Sequence, residues 1–352
     1  MKRFKLVRLY LALLLCINII SCGGRTPNQT PLNEYYDPNT AHQYVPKPQQ
    51  TITDPNKLIT KTFIKNVKLR VDPNLIANIE YLQGTLYPKR QGDPILFDDV
   101  TSFLLYIHKA KLSVDEKSLE YLMNNYVFNY PNAPLSNLKI TLIPGKLKMK
   151  GDMKKIITIP FEEEGILEPT PDGLIKLIPT SISAGGLPSK GLMDLIGLST
   201  DKLIELNESR GLKIIGNTII MYPDRMFPPP TMKSKVVAVE TQQGKLVMID
   251  DDGISLPIPQ LPEPRAKNFK YVYDGNVRLM NETHTCAKLQ MIDSDPKDSF
   301  DFYLKEYKKH LFAGYVKTVS NDGTLITYMP DYDDLLNGVS YPESGPPSIM
   351  NY

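Results

Sequence analysis

Lys146-Leu147-Lys148-Met149-Lys150 alternates charged and apolar side chains with a period of two. That period fits a strand with one wet face and one buried face, and it does not fit a helix. Sheets of this kind are antiparallel, with one face on the core and the other solvated. The reading extends to both sides. Leu58 to Ile64 reads as strand, and Val100 to Leu112 as a long strand with Phe103, Leu105, Ile107 and Lys109 on one face. Leu138 to Phe161 reads as a meander that turns at Gly151-Asp152. Pro171-Asp172-Gly173, Gly216-Asn217 and Gln243-Gly244 mark further turns, because these residue types supply the turn geometry that hairpins need.

Helical periodicity is rarer. Asn74 to Tyr81 reads as a helical turn. Ser113 or Asp115 can cap a helix, because a short side-chain oxygen accepts from the free N–H groups of the first turn. Leu119, Leu122, Met123 and Tyr126 then form one stripe at i, i+3, i+4 and i+7, with Glu116, Lys117 and Glu120 off it. Residues 190–198, with Leu192 and Leu195 on one side, and 201–209 read as two short helices, with Gly211 as a stop. Ser299 to Leu311 reads as helix, with Phe300, Leu304, Tyr307 and Leu311 on one face. The expected fold class is α+β. A long curved antiparallel sheet packs on one or two amphipathic helices, with an additional C-terminal β/α segment.

The N-terminus carries a different signal. Lys2, Arg3, Lys5 and Arg8 precede an apolar run from Leu9 to Ile20, broken only by Asn18. Twelve residues are too short to span lipid, which takes roughly 20. A charged start, a short apolar stretch and a small residue describe a secretory signal. Ile19-Ile20-Ser21-Cys22 resembles the bacterial lipobox, in which the cysteine is lipidated and becomes the first residue. Gly23 follows, which in a diderm cell resembles the class sorted to the periplasmic face of the outer membrane. Residues 22–56 are rich in Pro, Asn, Gln and Thr without an apolar period, and are expected to be an unfolded tether. The expected organisation is then a signal over 1–21, a lipidated tether over 22–56, a β/α domain over 57–260 and a C-terminal extension over 268–340, with an acidic, Pro-rich boundary between them.

Composition narrows the function classes. The chain has 41 Lys+Arg against 39 Asp+Glu, which gives a formal charge of +2. Residues 1–21 hold four basic residues and no acid, so processing would take the charge to −2. No basic footprint for nucleic acid remains. There is no GxGxxG, P-loop, HExxH or GxSxG, so no cofactor is expected. His42, His108, His284 and His310 lack metal-ligand spacing and read as surface or structural residues. Cys286 and His284 share a strand face and are a candidate Cys–His pair, but nothing marks the third group that would orient the base. Asp293, Asp295, Asp298 and Asp301 form an acidic cluster that departs from an EF-hand loop and reads as a solvated turn. Lys146, Lys148, Lys150, Lys154 and Lys155 form a basic stripe, read as a solvated face with anionic headgroups as the alternative. No catalytic or metal residue is assigned.

The helix Leu119-Glu120-Tyr121-Leu122-Met123, the strand pair Leu147-Lys148-Met149-Lys150-Gly151, the return strand ending Pro160-Phe161, the stretch from Leu192 to Leu206 and the Gly216-Asn217 hairpin have a counterpart. Over residues 113–251 the chain resembles the tubular lipid-binding family of periplasmic proteins, of the lipomannan-elongation type and related lipoproteins. That resemblance implies a binding domain for a lipid or other amphiphile, not an enzyme. The expected groove lining is Phe103, Leu105, Leu119, Leu122, Met123, Tyr126, Leu192 and Leu195, with the membrane reached through Cys22. The alternative is an envelope scaffold that binds another protein.

Overall fold

The computed structural model describes residues 59–154, 157–188, 207–319 and 324–341. In chain order the strands begin with β1 (Thr60–Asp72), β2 (Leu75–Pro88), β3 (Ile95–Leu96), β4 (Phe103–Asp115), β5 (Leu135–Ile143), β6 (Lys146–Lys154) and β7 (Thr158–Pro169). They continue with β8 (Ile175–Ala184), β9 (Leu187–Pro188), β10 (Leu212–Ile215), β11 (Thr218–Met221), β12 (Thr231–Lys233), β13 (Val236–Gln242) and β14 (Lys245–Asp251). The last are β15 (Phe269–Leu279), β16 (Glu282–Asp293), β17 (Phe300–Tyr303), β18 (Tyr315–Val319) and β19 (Thr324–Met329). Among the described residues four short α-helices join them: α1 (Glu116–Leu122), α2 (Pro223–Met226), α3 (Tyr307–Ala313) and α4 (Tyr332–Leu336). No helix among the described residues is long and apolar enough to cross a membrane.

The fold is sheet-dominated α+β, with large antiparallel sheets and few short helices. One sheet runs β13-β14-β4-β2-β1-β15-β16-β19-β18, with β12, β17 and β3 paired to its side. The other runs β10-β11-β8-β7-β6-β5, with β9 on β8. The second sheet is thus inserted between β4 and β12 of the first. The segment from residue 268, expected as an extension, supplies β15, which pairs with β1, and β17, which also pairs with β1. The sheets cut across the expected boundary near residue 260.

Alternation predicts the second sheet well. Leu147 and Met149 are buried while Lys146 and Lys150 are exposed. The turn lies at Gly145 rather than Gly151-Asp152, because β6 continues through both residues to Lys154. Gly151 sits in mid-strand, where a Cβ would lie 2.7 Å from Leu138 and 2.8 Å from the Ser136 carbonyl. Thr170 and Leu174 close the Pro171-Asp172-Gly173 turn, and Ile215 pairs with Thr218 across Gly216-Asn217.

Three readings change. Asn74 to Tyr81 is strand, because β2 is held on both sides by β1 and β4. Phe300 to Tyr303 is strand too, lying parallel to Val67–Arg70, so the helical part starts at Leu304, where a 3-10 turn over Leu304–Glu306 leads into α3. The odd exposure of Lys109 has a cause in register. Gln83 pairs with Lys109 and Gly84 with Ile107, so His108 is an extra residue in β4. Such a bulge switches the faces of the residues beyond it. Ile107 points inward, Lys109 outward and Ala110 inward again.

α1 begins as its cap predicts, with the Ser118 N–H donating to Asp115 Oδ1 at 2.7 Å. It lies along β5, the edge of the second sheet. Glu116 Oε1 accepts from Leu142 N at 2.6 Å, Glu120 Oε1 from Ile140 N at 3.0 Å, and Asn124 Oδ1 from Leu138 N at 2.9 Å. Every second N–H of the edge strand is therefore met by a side chain one helical turn further back. An open edge is a template for unwanted strand pairing, and these three residues cover it.

Candidate functional site

The expected groove residues divide between two cores. Phe103 and Leu105 join Ile107, Leu279, Phe300 and Phe302 on one face of the first sheet. Leu122 and Met123, with Leu119 and Tyr126 at the margin, join Leu138, Met149 and Phe161 of the second sheet and Leu75, Val114 and Met248 of the first. Leu122 is 1% exposed. The Tyr126 hydroxyl donates to Asp72 Oδ2 at 2.7 Å. The described residues of this set do not meet in one groove, because they fill two different cores. Leu192, Leu195 and Cys22 lie outside the described residues.

His108 has the most elaborate polar setting. Nε2 meets Thr85 Oγ1 at 2.7 Å, and Nδ1 meets Asp252 Oδ2 at 2.7 Å. Asp252 Oδ1 in turn accepts from Ile254 N, and Asp252 N donates to the His108 carbonyl. Hydroxyl, imidazole and carboxylate stand in the order of a nucleophile, its base and an orienting acid. Thr85 is 0% exposed, so no substrate reaches that hydroxyl as the chain is folded. The triad acts as a clamp: it ties β2 and β4 to the segment that leaves β14. Only the bulge at residue 108 aims the imidazole there, and the sequence carries no sign of it.

His310 is also wholly buried. Nδ1 donates to the Pro330 carbonyl at 2.9 Å, and Nε2 accepts from Tyr303 N at 3.1 Å, an arrangement that requires the neutral ring. Burial pushes its pKa down to about 4. Cys286 is disulfide-bonded, so it offers no free thiol to His284. The chain's other cysteines, Cys16 and Cys22, lie outside the described residues.

Among the described residues, one group of carboxylates has oxygens close enough to hold a metal ion: Asp293, Asp298 and Asp331, all within 4.8 Å of one another. Asp331 comes from far along the chain. Asp301, expected in this cluster, faces Arg70 instead, which donates Nε and a terminal nitrogen to its two oxygens at 2.6 and 2.5 Å. Burial, then the charge of Asp331, pushes Asp293 up to about 8, while burial raises Asp331 to about 7. Asn268 donates to Asp293 Oδ2, and Asp295 N to its Oδ1.

Three lysines of the stripe are paired across the strands, and Lys155 lies outside the described residues. Lys148 reaches Glu164 at 2.7 Å, Lys146 the same residue at 3.5 Å, and Lys150 meets Glu162 at 2.8 Å. On the opposite face of β7, Glu163 is 3% exposed and its Oε1 has no hydrogen-bond partner. Burial raises its pKa to about 7. Lys270 is buried with its ammonium 4.9 Å from the Phe97 ring centre and 5.4 Å from that of Phe302, and burial lowers it to about 8.

Comparison with protein-family models, with curated proteins and with solved structures finds no match for this chain.

Proposed function

We propose that the chain is a lipid-anchored protein of the cell envelope whose folded part acts by binding another protein. The observation that carries the second half is the fate of the apolar stripe: the described residues expected to line a groove fill two separate cores. The first half rests on Cys22, which stands where the apolar run ends and a Pro-rich tether begins. Such a tether of about 35 residues reaches on the order of 30 Å as a flexible coil, enough to hold the folded part off the bilayer. Cys22→Ser should move the protein from the membrane to the soluble fraction. Crosslinking in intact cells, followed by affinity purification, should return the same protein partner in replicate experiments. Failure to find a reproducible partner would sink the reading.

Carriage of an amphiphile is the second reading, and Glu163 favours it. A carboxyl with a raised pKa on the apolar face of β7 is neutral in part at pH 7 and can donate a hydrogen bond to a headgroup. Native mass spectrometry of the purified protein decides between the two. A co-purified lipid that is lost in Glu163→Leu supports carriage, and ligand-free protein with no uptake of fluorescent phospholipid excludes it.

A further inference from the structure

Between β14 and β15 the chain runs Ile254-Ser255-Leu256-Pro257-Ile258-Pro259-Gln260-Leu261-Pro262-Glu263-Pro264. Proline fixes φ near −65°, and the residue before a proline is pushed to extended backbone. From Leu256 to Pro264, every residue except Gln260 is a proline or precedes one. The segment has little choice but polyproline II. From Ser255 to Pro262 the backbone makes no hydrogen bond to other backbone, which is how that helix exists.

Exposure repeats with the period of three that such a helix has. The repeat covers Leu256 to Gln260: Leu256 is buried and Pro259 half-buried, while Pro257, Ile258 and Gln260 are exposed; beyond it Leu261 and Pro262 are half-buried and Glu263 is buried, as the chain returns to the protein. One edge lies on the protein and the others face solvent. Ile258 is 78% exposed, more than any other large apolar side chain described.

Both ends are fastened. Asp252 is held by His108 at one end. At the other, Gln290 brackets Glu263, accepting from its N–H at 2.7 Å and donating to its carbonyl at 3.1 Å. Leu261 packs beside Phe269, Tyr271 and Tyr273. An extended segment pinned at both ends has already lost the entropy that a free peptide loses on binding.

We propose that Leu256–Leu261 is a preformed polyproline II ligand, displayed to a partner protein that carries an aromatic-lined groove. Grooves of that kind take prolines and neighbouring apolar side chains from a backbone that is already in shape. Pro257 and Ile258, on the outward edges, are the residues such a groove would take. The inference rests on the protein-binding reading above, and it names the surface and the partner's chemistry.

The test places a photo-crosslinking amino acid at Gln260 in the full-length chain, in the cells that make it, with matched placements at Val237 and Phe312, which are also exposed. The expected result is a protein adduct at 260 whose attachment site lies among Trp or Tyr side chains. Ile258→Asp should lower its yield about tenfold or more, since burying one such side chain is worth more than a tenfold change in affinity. Ile258→Leu should retain it. The thermal melt of Ile258→Asp should match the parent, because the side chain touches little of its own protein. A lipid adduct, no adduct, or an adduct indifferent to Ile258→Asp overturns the proposal. A protein adduct at 237 or 312 but none at 260 overturns it while leaving the protein-binding reading standing. No protein adduct at any of the three sites overturns both.

Discussion

The cover over the β5 edge makes a quantitative prediction. Leu138 and Leu142 are 0% exposed and Ile140 is 5% exposed, so their N–H groups have no water to turn to. Glu116→Ala removes the acceptor of Leu142 N, and Glu120→Ala that of Ile140 N. A buried donor left unpaired costs about 1–3 kcal/mol, with charged acceptors at the upper end. Alanine returns only a few tenths of a kcal/mol through helix propensity. Each variant should therefore lose about 2 kcal/mol. Glu120→Gln keeps an oxygen acceptor and should lose less. Glu120 also meets Lys139 at 3.2 Å, but that lysine is exposed and the pair is worth less than about 1 kcal/mol, so Lys139→Ala is the control. Urea unfolding at fixed pH measures all four. Sedimentation adds a second readout, because an uncovered edge should self-associate. If Glu116→Ala and Glu120→Ala both unfold within about 0.5 kcal/mol of the parent, the scatter of ordinary surface changes, the edge is not held as described.

Other perturbations test the same geometry. Arg70→Met leaves Asp301 buried without its partner and should cost about 3–5 kcal/mol, with Arg70→Met/Asp301→Leu recovering much of it in a denaturant double-mutant cycle. Glu163 binds its proton more tightly folded than unfolded, so its contribution to stability is full below about pH 4.5 and is lost as pH rises towards 7. Glu163→Gln should remove that loss, gaining about 3 kcal/mol at pH 8 relative to pH 4 in urea titrations. His310 runs the other way: its pKa falls on folding, so stability should decline as pH drops from about 6.5 towards 4, and a phenylalanine there should blunt that part of the acid limb. The Cys22 sulfur cannot carry both a thioether-linked lipid and a disulfide. Peptide mass spectrometry should find the diacylglyceryl group on Cys22, and recovery of a Cys22–Cys286 linked pair would remove the anchor.

Period-two alternation was legible where one face is wet, as in β6, and glycine at a positive φ marked the turns at Gly173, Gly216 and Gly244, although the one at Gly145 was passed over for Gly151-Asp152. The misread segments share a different property. Leu75, Ile76 and Ile79 at the head of β2 fit a helical turn as well as they fit a strand, and so does Phe300 in β17. Local periodicity cannot separate the two there. Partners decide it: β2 lies between two long strands, and β17 is captured by Val67–Arg70 more than two hundred residues earlier. Arg70 and Asp301 sit in those two strands, so their ion pair was as illegible as the pairing that creates it.

The division of the expected groove residues between two cores was illegible for a related reason. A stripe at i, i+3, i+4 and i+7 shows that one helix face is buried and is silent on what buries it; a ligand and a second sheet leave the same pattern. What separates them lies on the polar side of α1 and of the helical turn over Met123–Val127 that continues it. Glu116, Glu120 and Asn124 are spaced by four, an advance of about 6 Å along a helix. Two residues along a strand advance about 6.6 Å. The two spacings nearly match, so a helix with acceptors every four residues can be laid along a strand with every second N–H open. Read alone, that spacing looks like a solvated face. Beside a strand whose outer N–H groups need partners it becomes a docking pattern, and it sets α1 hard against the sheet that its apolar stripe then fills. The same distinction applies to the segment from Leu256 to Pro264, where the prolines were legible as a boundary. The repeat of three in exposure over Leu256 to Gln260 appears only once one edge has a surface to lie on, and the edges left over are the ones a partner would read.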